Sequence, residues 1–378
     1  MKKLPLAIIF ASLLGNTTVN AATIYNKDGN QMDIFGHISA MYTNSAGSKH
    51  IDGLKRKPSD KSGIGTTAYF GVAGRTKIND TVSGIAVSEW IMPAGTDSKS
   101  DGKIVTRAQY VGFDAAQYGI LTFGRGDNAY YTVAGVTDIF TELDTNVNDH
   151  YALGDLHSSQ IMYSISALGW DFRASYQAFS SKVNETPVNI SNQAAFAFAT
   201  RLSNGLSIAY GMSFYYLAKD AAGAMTRYYA PTNKIIHNLG DNTSFFTYGE
   251  YTPTFKVDRG ISISYGTFGE GLYLALNATY TKYGSYSHQL ISYEGVASYT
   301  LDNGLCFNLG YGTKRYNGDN IRSDLTLGIY YRLNANFKIF AEAAFDVNSK
   351  PGRFYGEQQI KNEAMGKNKA VIGLVYDF

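Results

Sequence analysis

The chain has one cysteine, Cys306, in 378 residues, which rules out an intramolecular disulfide and a cysteine-based metal cage. It also lacks any run of about 20 apolar residues, the length a membrane-spanning helix requires. A surplus charge of one sign is missing as well: 33 Lys and Arg face 31 Asp and Glu, and loss of Lys2 and Lys3 leaves 31 against 31. That balance gives no support to nucleic-acid binding. The six histidines, His37, His50, His150, His157, His237 and His288, are scattered. None sits in a motif that fixes a partner, which argues against a nucleophile or Asp/His hydrolase. Proline numbers only 7, against 39 Gly, 30 Tyr and 21 Phe, a composition suited to strands that are apolar on one side.

The two ends are informative. Lys2 and Lys3 precede an apolar run from Leu4 to Leu14, and Val19-Asn20-Ala21 offers the small residues of a signal-peptidase site. Residues 1–21 are therefore expected to be a cleaved export signal and 22–378 the mature domain. No cysteine follows the cleavage point, so a lipid anchor is unsupported. At the other end, Ala370, Ile372, Leu374, Tyr376 and Phe378 share one face, while Lys369, Gly373, Val375 and Asp377 share the other. This period-two pattern runs for about the ten residues that a tilted strand needs to cross a bilayer.

The pattern recurs along the chain. Leu206, Ile208, Tyr210, Met212, Phe214 and Tyr216 form one oily face, Trp170, Phe172, Ala174 and Tyr176 another, and Leu272, Leu274, Leu276, Ala278 and Tyr280 a third. Turn signals such as Asn79-Asp80, Ala167 to Gly169, Ser203 to Gly205, Asp302 to Gly304 and Asn334 to Asn336 join many runs. Sixteen strands are expected, beginning near residues 31, 64, 80, 103, 119, 157, 169, 192, 205, 258, 271, 290, 304, 321, 336 and 368. Long segments at 45 to 63, 126 to 156, 218 to 257 and 348 to 367 alternate with the short turns, as extracellular loops alternate with periplasmic ones.

Alternation alone also suits a soluble β-sandwich or β-helix, and parity cannot tell inside from outside. The export signal, the number of runs and the apolar last strand together favour an all-β, 16-stranded antiparallel transmembrane β-barrel. In hydrocarbon an unpaired peptide group costs several kcal/mol, so such a sheet must close. Closure at about sixteen strands leaves a lumen too wide for side chains to fill.

Ala22 to Gly36, Thr106-Arg107, Phe123-Gly-Arg125 and the last strand with Phe378 resemble the trimeric general porins of Gram-negative outer membranes. The resemblance implies a homotrimer in outer-membrane lipid and lipopolysaccharide, passive diffusion of small hydrophilic solutes and ions, no cofactor, and assembly signalled by the terminal aromatic. It further implies a third extracellular loop folded inward, with carboxylates opposing basic residues on the wall. Asp138 and Glu142 match the acidic positions, and Asp144 is a nearby carboxylate. Thr141 to Thr145 replaces the family's Pro-Glu-Phe-Gly-Gly tip. On the wall Arg107 matches a family arginine, His37 stands where lysine is common, and Tyr69 replaces another arginine. Parity places Arg107 opposite an oily Ile104, Ala108 and Tyr110, and turns Arg173 toward the lumen. With acids outnumbering secure bases, mild cation preference is expected, because a salty pore with a Debye length near 8 Å allows only a bias.

Other features read more plainly. Arg125-Gly126-Asp127 spells an adhesion tripeptide, but it enters the inward loop. Gly266 to Gly271 is glycine-rich without a following helix, so it lacks the context of a dinucleotide site. Interfacial girdles explain the tyrosines, with a sugar-guiding track through Tyr69, Tyr273 and Tyr330 as an alternative. Cys306 is expected to line the lumen near its periplasmic end. Long loops allow an adhesin or phage-receptor use of the surface. Small outward residues, Gly36, Ala40, Ala68 and Gly74, place a subunit interface on strands one to five. Arginine at Leu274 is expected to be costly and at Asn277 cheap.

Overall fold

The computed structural model describes residues 21–44, 63–94, 104–143, 156–178, 181–182, 189–217, 231–237, 244–248, 255–283, 289–316, 318–353 and 366–378. Sixteen strands form one closed antiparallel sheet. The first eight are β1 (Asn30–Thr43), β2 (Gly63–Lys77), β3 (Ser83–Ala94), β4 (Val105–Asp114), β5 (Ile120–Asp127), β6 (Leu156–Ala167), β7 (Trp170–Gln177) and β8 (Asn189–Arg201). The second eight are β9 (Leu206–Leu217), β10 (Phe255–Thr267), β11 (Glu270–Tyr283), β12 (Gln289–Thr300), β13 (Leu305–Tyr316), β14 (Asp319–Arg332), β15 (Phe337–Asp346) and β16 (Lys369–Asp377). Starts expected from periodicity agree closely; the largest offsets are three residues, at β3 (80 against 83), β8 (192 against 189) and β10 (258 against 255).

The seam joins the segment that follows residue 21 to the C-terminal strand. An N-terminal strand, Ala22–Lys27, pairs with the Asn30 to Ile34 part of β1, and β16 pairs with the His37 to Thr43 part of the same edge. Between them Gly36 and Phe378 exchange two backbone hydrogen bonds of 2.9 Å. No strand edge of the barrel is thereby left open to lipid, where nothing could satisfy it.

Side chains invert the order of a soluble protein. Leu276 is 64% exposed and Ile372 60%, whereas Thr326 is fully buried and Glu342 is 3% exposed. Apolar residues at alternate positions point outward around the barrel, and polar ones point into it. A sandwich with a dry apolar interior is excluded. The turns have a shared local cause: Asn79, Asn204, Asn303 and Asn334 each accept hydrogen bonds on Oδ1 from backbone N–H groups two or three residues on, the Asx geometry that makes asparagine a turn former. Between β6 and β7, Leu168 (φ 54°) and Gly169 (φ 80°) form a two-residue turn with both central residues left-handed. Outside the barrel, Pro231–His237 and Ser244–Tyr248 pair as a separate hairpin within the long 218 to 257 segment.

One strand departs from simple alternation. Across β3 and β4, Glu89 pairs with Ala108 and Trp90 with Thr106, so Arg107 is an extra residue, a β-bulge. The expected oily face of Ala108 and Tyr110 is therefore corrected. Ala108 is buried, and Tyr110 packs inside with Phe35, Ala73 and Val87. Val111 and Phe113 face lipid instead. Arg125 braces the bulge, its Nε donating to the carbonyls of Thr106 (3.0 Å) and Arg107 (3.1 Å). That is the structural use of the arginine in the Arg125-Gly126-Asp127 tripeptide.

Leu276 sits at the middle of β11, so Leu276→Arg should cost ~2 to 4 kcal/mol, and Leu274→Arg, closer to the periplasmic rim, should cost less. Asn277→Arg is not the cheap change that parity suggests, because Asn277 is buried beneath an inward loop and donates to it. Urea unfolding in lipid vesicles checks all three, with Asn277→Arg expected to destabilise the loop while the sheet persists.

Candidate functional site

After β5 the chain turns into the barrel. Asn128 to Leu143 crosses the lumen as a short helix, Tyr131–Ala134, a 3-10 turn, Gly135–Thr137, and an extended tip. A segment buried in this way must find partners for its backbone groups. The wall supplies them in strand order. Ser175 of β7 accepts from the Ala129 N–H (3.0 Å). On β11, Asn277 donates to the Val133 carbonyl (2.9 Å) and Tyr273 to that of Val136 (2.7 Å). Glu294 of β12 accepts from the Thr137 hydroxyl (2.8 Å), and Asn308 of β13 donates to the Ile139 carbonyl (3.0 Å).

The tip is held most firmly. Glu342 of β15 accepts from the N–H groups of Thr141 (2.6 Å), Glu142 (3.0 Å) and Leu143 (2.6 Å), and from the Tyr330 hydroxyl (2.6 Å). Leu143 then enters an apolar cluster with Met41, Phe340, Val371 and Val375 on β1, β15 and β16. Inside the loop's base, the Thr279 hydroxyl donates to Asn277 Oδ1 (3.0 Å), which leaves Tyr130 to donate to Thr279 (3.1 Å). Burial pushes the Tyr130 hydroxyl well above the usual phenol range, so this donor stays protonated.

The loop packs along the wall from β6 to β16, its tip reaching Met41 of β1, and leaves its open side toward β1 to β5. There the expected wall residues do come together. His37 and Tyr69 stack with ring centroids 4.3 Å apart. Arg107 lies within electrostatic reach of both. The bulge turns Arg107 into the lumen, where its Nη1 meets Glu89 Oε2 at 2.6 Å. Asp127 lies in the fields of Arg107, Arg173, Glu89 and Asp138. Arg173 faces inward as parity requires and lines a small cavity of about 30 Å³ with Tyr110, Arg125, Asp127 and Gln160.

On the loop, Asp138 is half-buried and accepts from the Tyr131 hydroxyl (2.9 Å). Glu142 is buried, 4% exposed, at the anchored tip. Asp144 lies outside the described residues. Tyr273 and Tyr330 give their hydroxyls to the loop and to Glu342 and are buried, so their ring faces are not open to a passing solute. Cys306 is partly buried beside Ser298 and Asn308.

Sequence reasoning missed Glu89, Asp127, Glu294 and Glu342. A signal for three of them was present: Glu89, Glu294 and Glu342 lie on the inward parity of their strands, where a charged residue marks either open water or a contact with a buried segment. Among the described residues, no group of His, Cys, Asp and Glu is placed to hold a metal.

A closed sixteen-stranded barrel, lipid-facing outside and polar inside, with a loop folded across its bore, defines an outer-membrane channel protein. No protein-family model matches the chain. It is 25% identical to outer membrane protein S2 of Salmonella typhi over 421 aligned positions covering all of both chains. The identity to outer membrane protein Omp-EA of Erwinia amylovora is 26%, again over the whole of both, and to outer membrane porin PhoE of Enterobacter cloacae 34% over 142 residues, 38% of this chain and 37% of that one. Among solved structures, Salmonella typhi OmpF in complex with daunomycin superposes with a TM-score of 0.70 at 17% identity, covering 94% of this chain and all of that one. An anion-selective porin from Comamonas acidovorans gives 0.60 at 14% identity, over 92% of this chain and all of that one. Likeness to outer-membrane porins along the whole chain, together with the closed barrel, supports an outer-membrane channel whose function is passive diffusion of ions and small hydrophilic solutes.

Glu342→Ala strips acceptors from three buried N–H groups and one hydroxyl, each worth ~1 to 3 kcal/mol when left unsatisfied. The expected outcome is a tip released from the wall, seen as noisier single-channel current and new protease cleavage near residue 142 in a barrel that still resists heat.

Proposed function

We propose that this porin is a non-enzymatic homotrimer with one weakly cation-preferring constriction per subunit. That constriction lies between Asp138 on the loop and the wall group of His37, Tyr69, Arg107 and Arg173, with Glu142 and Asp144 as the remaining acidic positions of the loop. The observation that carries the charge argument is the 2.6 Å pairing of Arg107 with Glu89. It offsets the arginine that would otherwise attract anions. Counting formal charges, Arg107, Arg125 and Arg173 contribute +3 and Glu89, Asp127 and Asp138 contribute −3, a balance to which Glu142 and Asp144 of the loop add an acidic excess. Coulomb energy in water is about 1 kcal/mol at 4 Å and is screened beyond about 8 Å at physiological salt, so a small acidic excess biases ion ratios without excluding either sign.

Absence of catalysis is supported by the porin relatives and by the lack of a nucleophile paired with a base in the sequence. Trimer formation is supported by the relatives' family and by small outward residues on β1 and β2, including Gly74, where an added Cβ meets nothing within 4 Å. Cleavage after Ala21, contact with lipopolysaccharide and delivery to the barrel-assembly machinery through Phe378 belong to the same reading.

In a KCl gradient across a planar bilayer the reversal potential should show mild cation preference, inserted in conductance steps that come in triplets. Glu89→Gln and Asp138→Asn should each move it toward anions. Anion preference in the unaltered protein overturns the charge assignment. Crosslinks between subunits should map to β1 through β5, and links confined to β10 through β15 overturn the interface.

A further inference from the structure

The inner wall lacks side chains at two adjoining positions where parity calls for them. Gly211 of β9 and Gly260 of β10 are direct register partners. With Ala197 of β8 beside Gly211 and Thr279 of β11 beside Gly260, they form one row across four strands. Neither glycine is among those with a left-handed φ, so backbone torsion does not call for glycine at either position. Glycine inside a strand is destabilising relative to alanine, so its presence at 260 calls for another reason.

What occupies the space is the loop helix. A Cβ built on Gly260 lies 2.4 Å from the Tyr130 hydroxyl oxygen and 3.0 Å from Val133 Cγ1. One built on Gly211 lies 2.9 Å from Val133 Cγ2 and equally 2.9 Å from the backbone oxygen of Phe196 on β8, so both the helix and the sheet crowd that position. Val133 and Tyr130 are fully buried against this row, with Ala197 and Ala209 completing the packing around Val133. An ordinary contact needs 3.4 Å or more, so a single methyl at 260 must displace the Tyr130 hydroxyl by about 1 Å and press on Val133 of the same helix.

We propose that the in-register pair Gly211 and Gly260 sets the aperture of this channel: by carrying no side chain it forms a seat for Tyr130 and Val133, and the depth of that seat fixes how far the helix projects into the bore. This rests on the reading that the loop narrows the channel. The two glycines are positioning residues. They touch no solute and act through the helix, so the size limit for diffusing sugars is decided on the wall behind the loop.

The test uses the full-length porin in planar bilayers and in liposomes swelling in glucose, sucrose and raffinose. Gly260→Ala should lower single-channel conductance by roughly a tenth to a half, and Gly260→Leu about two-fold, with raffinose entry lost before glucose entry. Removing the atom that clashes should reverse the effect. Tyr130→Phe combined with Gly260→Ala should return conductance toward the unaltered value. Such rescue is not expected if the glycines serve only the sheet. Gly352→Ala, where a methyl meets nothing within 4 Å, is the control and should leave conductance unchanged. Unchanged or raised conductance in Gly260→Ala overturns the proposal. So does failure of Gly260→Ala to assemble without rescue by Tyr130→Phe. Glu342→Ala separates the two levels. If it alters conductance while the glycine variants do not, the seat is wrong and the constriction stands; if neither alters it, the constriction reading falls.

Discussion

Everything in this molecule follows from the absence of water in the bilayer core. A peptide group there has no partner except another peptide group, so each strand must be paired along both edges and the sheet must close. The closing edge of β1 shows how strictly this holds. It is longer than β16 can cover, and the N-terminal strand completes it, with Gly36 and Phe378 joined where the two meet. Once sixteen strands close, the circumference is too large for side chains to fill, and a water-filled bore is a geometric consequence.

The same accounting applies to the segment that enters the bore. Asn128 to Leu143 leaves the sheet and gives up its regular hydrogen bonds, yet it lies against a wall of polar side chains that replace them. Ser175, Tyr273, Asn277, Glu294, Asn308 and Glu342 each meet a specific backbone or hydroxyl group of the loop. Much of the buried polarity of the barrel interior is therefore anchoring. Apolar packing of Leu143, and of Val133 with Ala197, adds contact area between those anchors. What remains for transport is the unfilled side toward β1 to β5. There the charges are partly paired with one another, and an arginine bound to a glutamate presents a weaker field to passing ions than its formal charge suggests.

Much of this could be read from the residues alone. Alternation of Leu272, Leu274 and Leu276 or of Ile372, Leu374 and Tyr376 located strands to within three residues, because a half-lipid, half-water sheet imposes period two on composition directly. The turns were equally local, since an asparagine or glycine at the right offset acts on its own backbone. The site was legible only in part. His37, Tyr69, Arg107 and Arg173 could be placed on the inner wall, but Ala108 and Tyr110 were assigned to the wrong face. A bulge shifts parity by one and leaves no mark in the pattern, being settled by pairing with Glu89 and Trp90 on another strand. Nor did Asn277 announce itself as an anchor, for an inward asparagine facing water and one facing a loop are the same residue in a list.

By itself the sequence determined that the chain is an exported all-β protein with one oily and one wet face per strand, since those properties are set by side chains and their nearest neighbours in the chain. Tertiary structure alone decided which way the faces point, how the bulge turns Arg107, which wall side chains grip the loop, and that Gly211 and Gly260 lie side by side beneath its helix. Those outcomes depend on contacts between residues from 18 positions apart, Arg107 with Glu89, to 144 for Asn277 with Val133 and 199 for Glu342 with Leu143. No local pattern encodes them, because the partners become neighbours only after the sheet has closed.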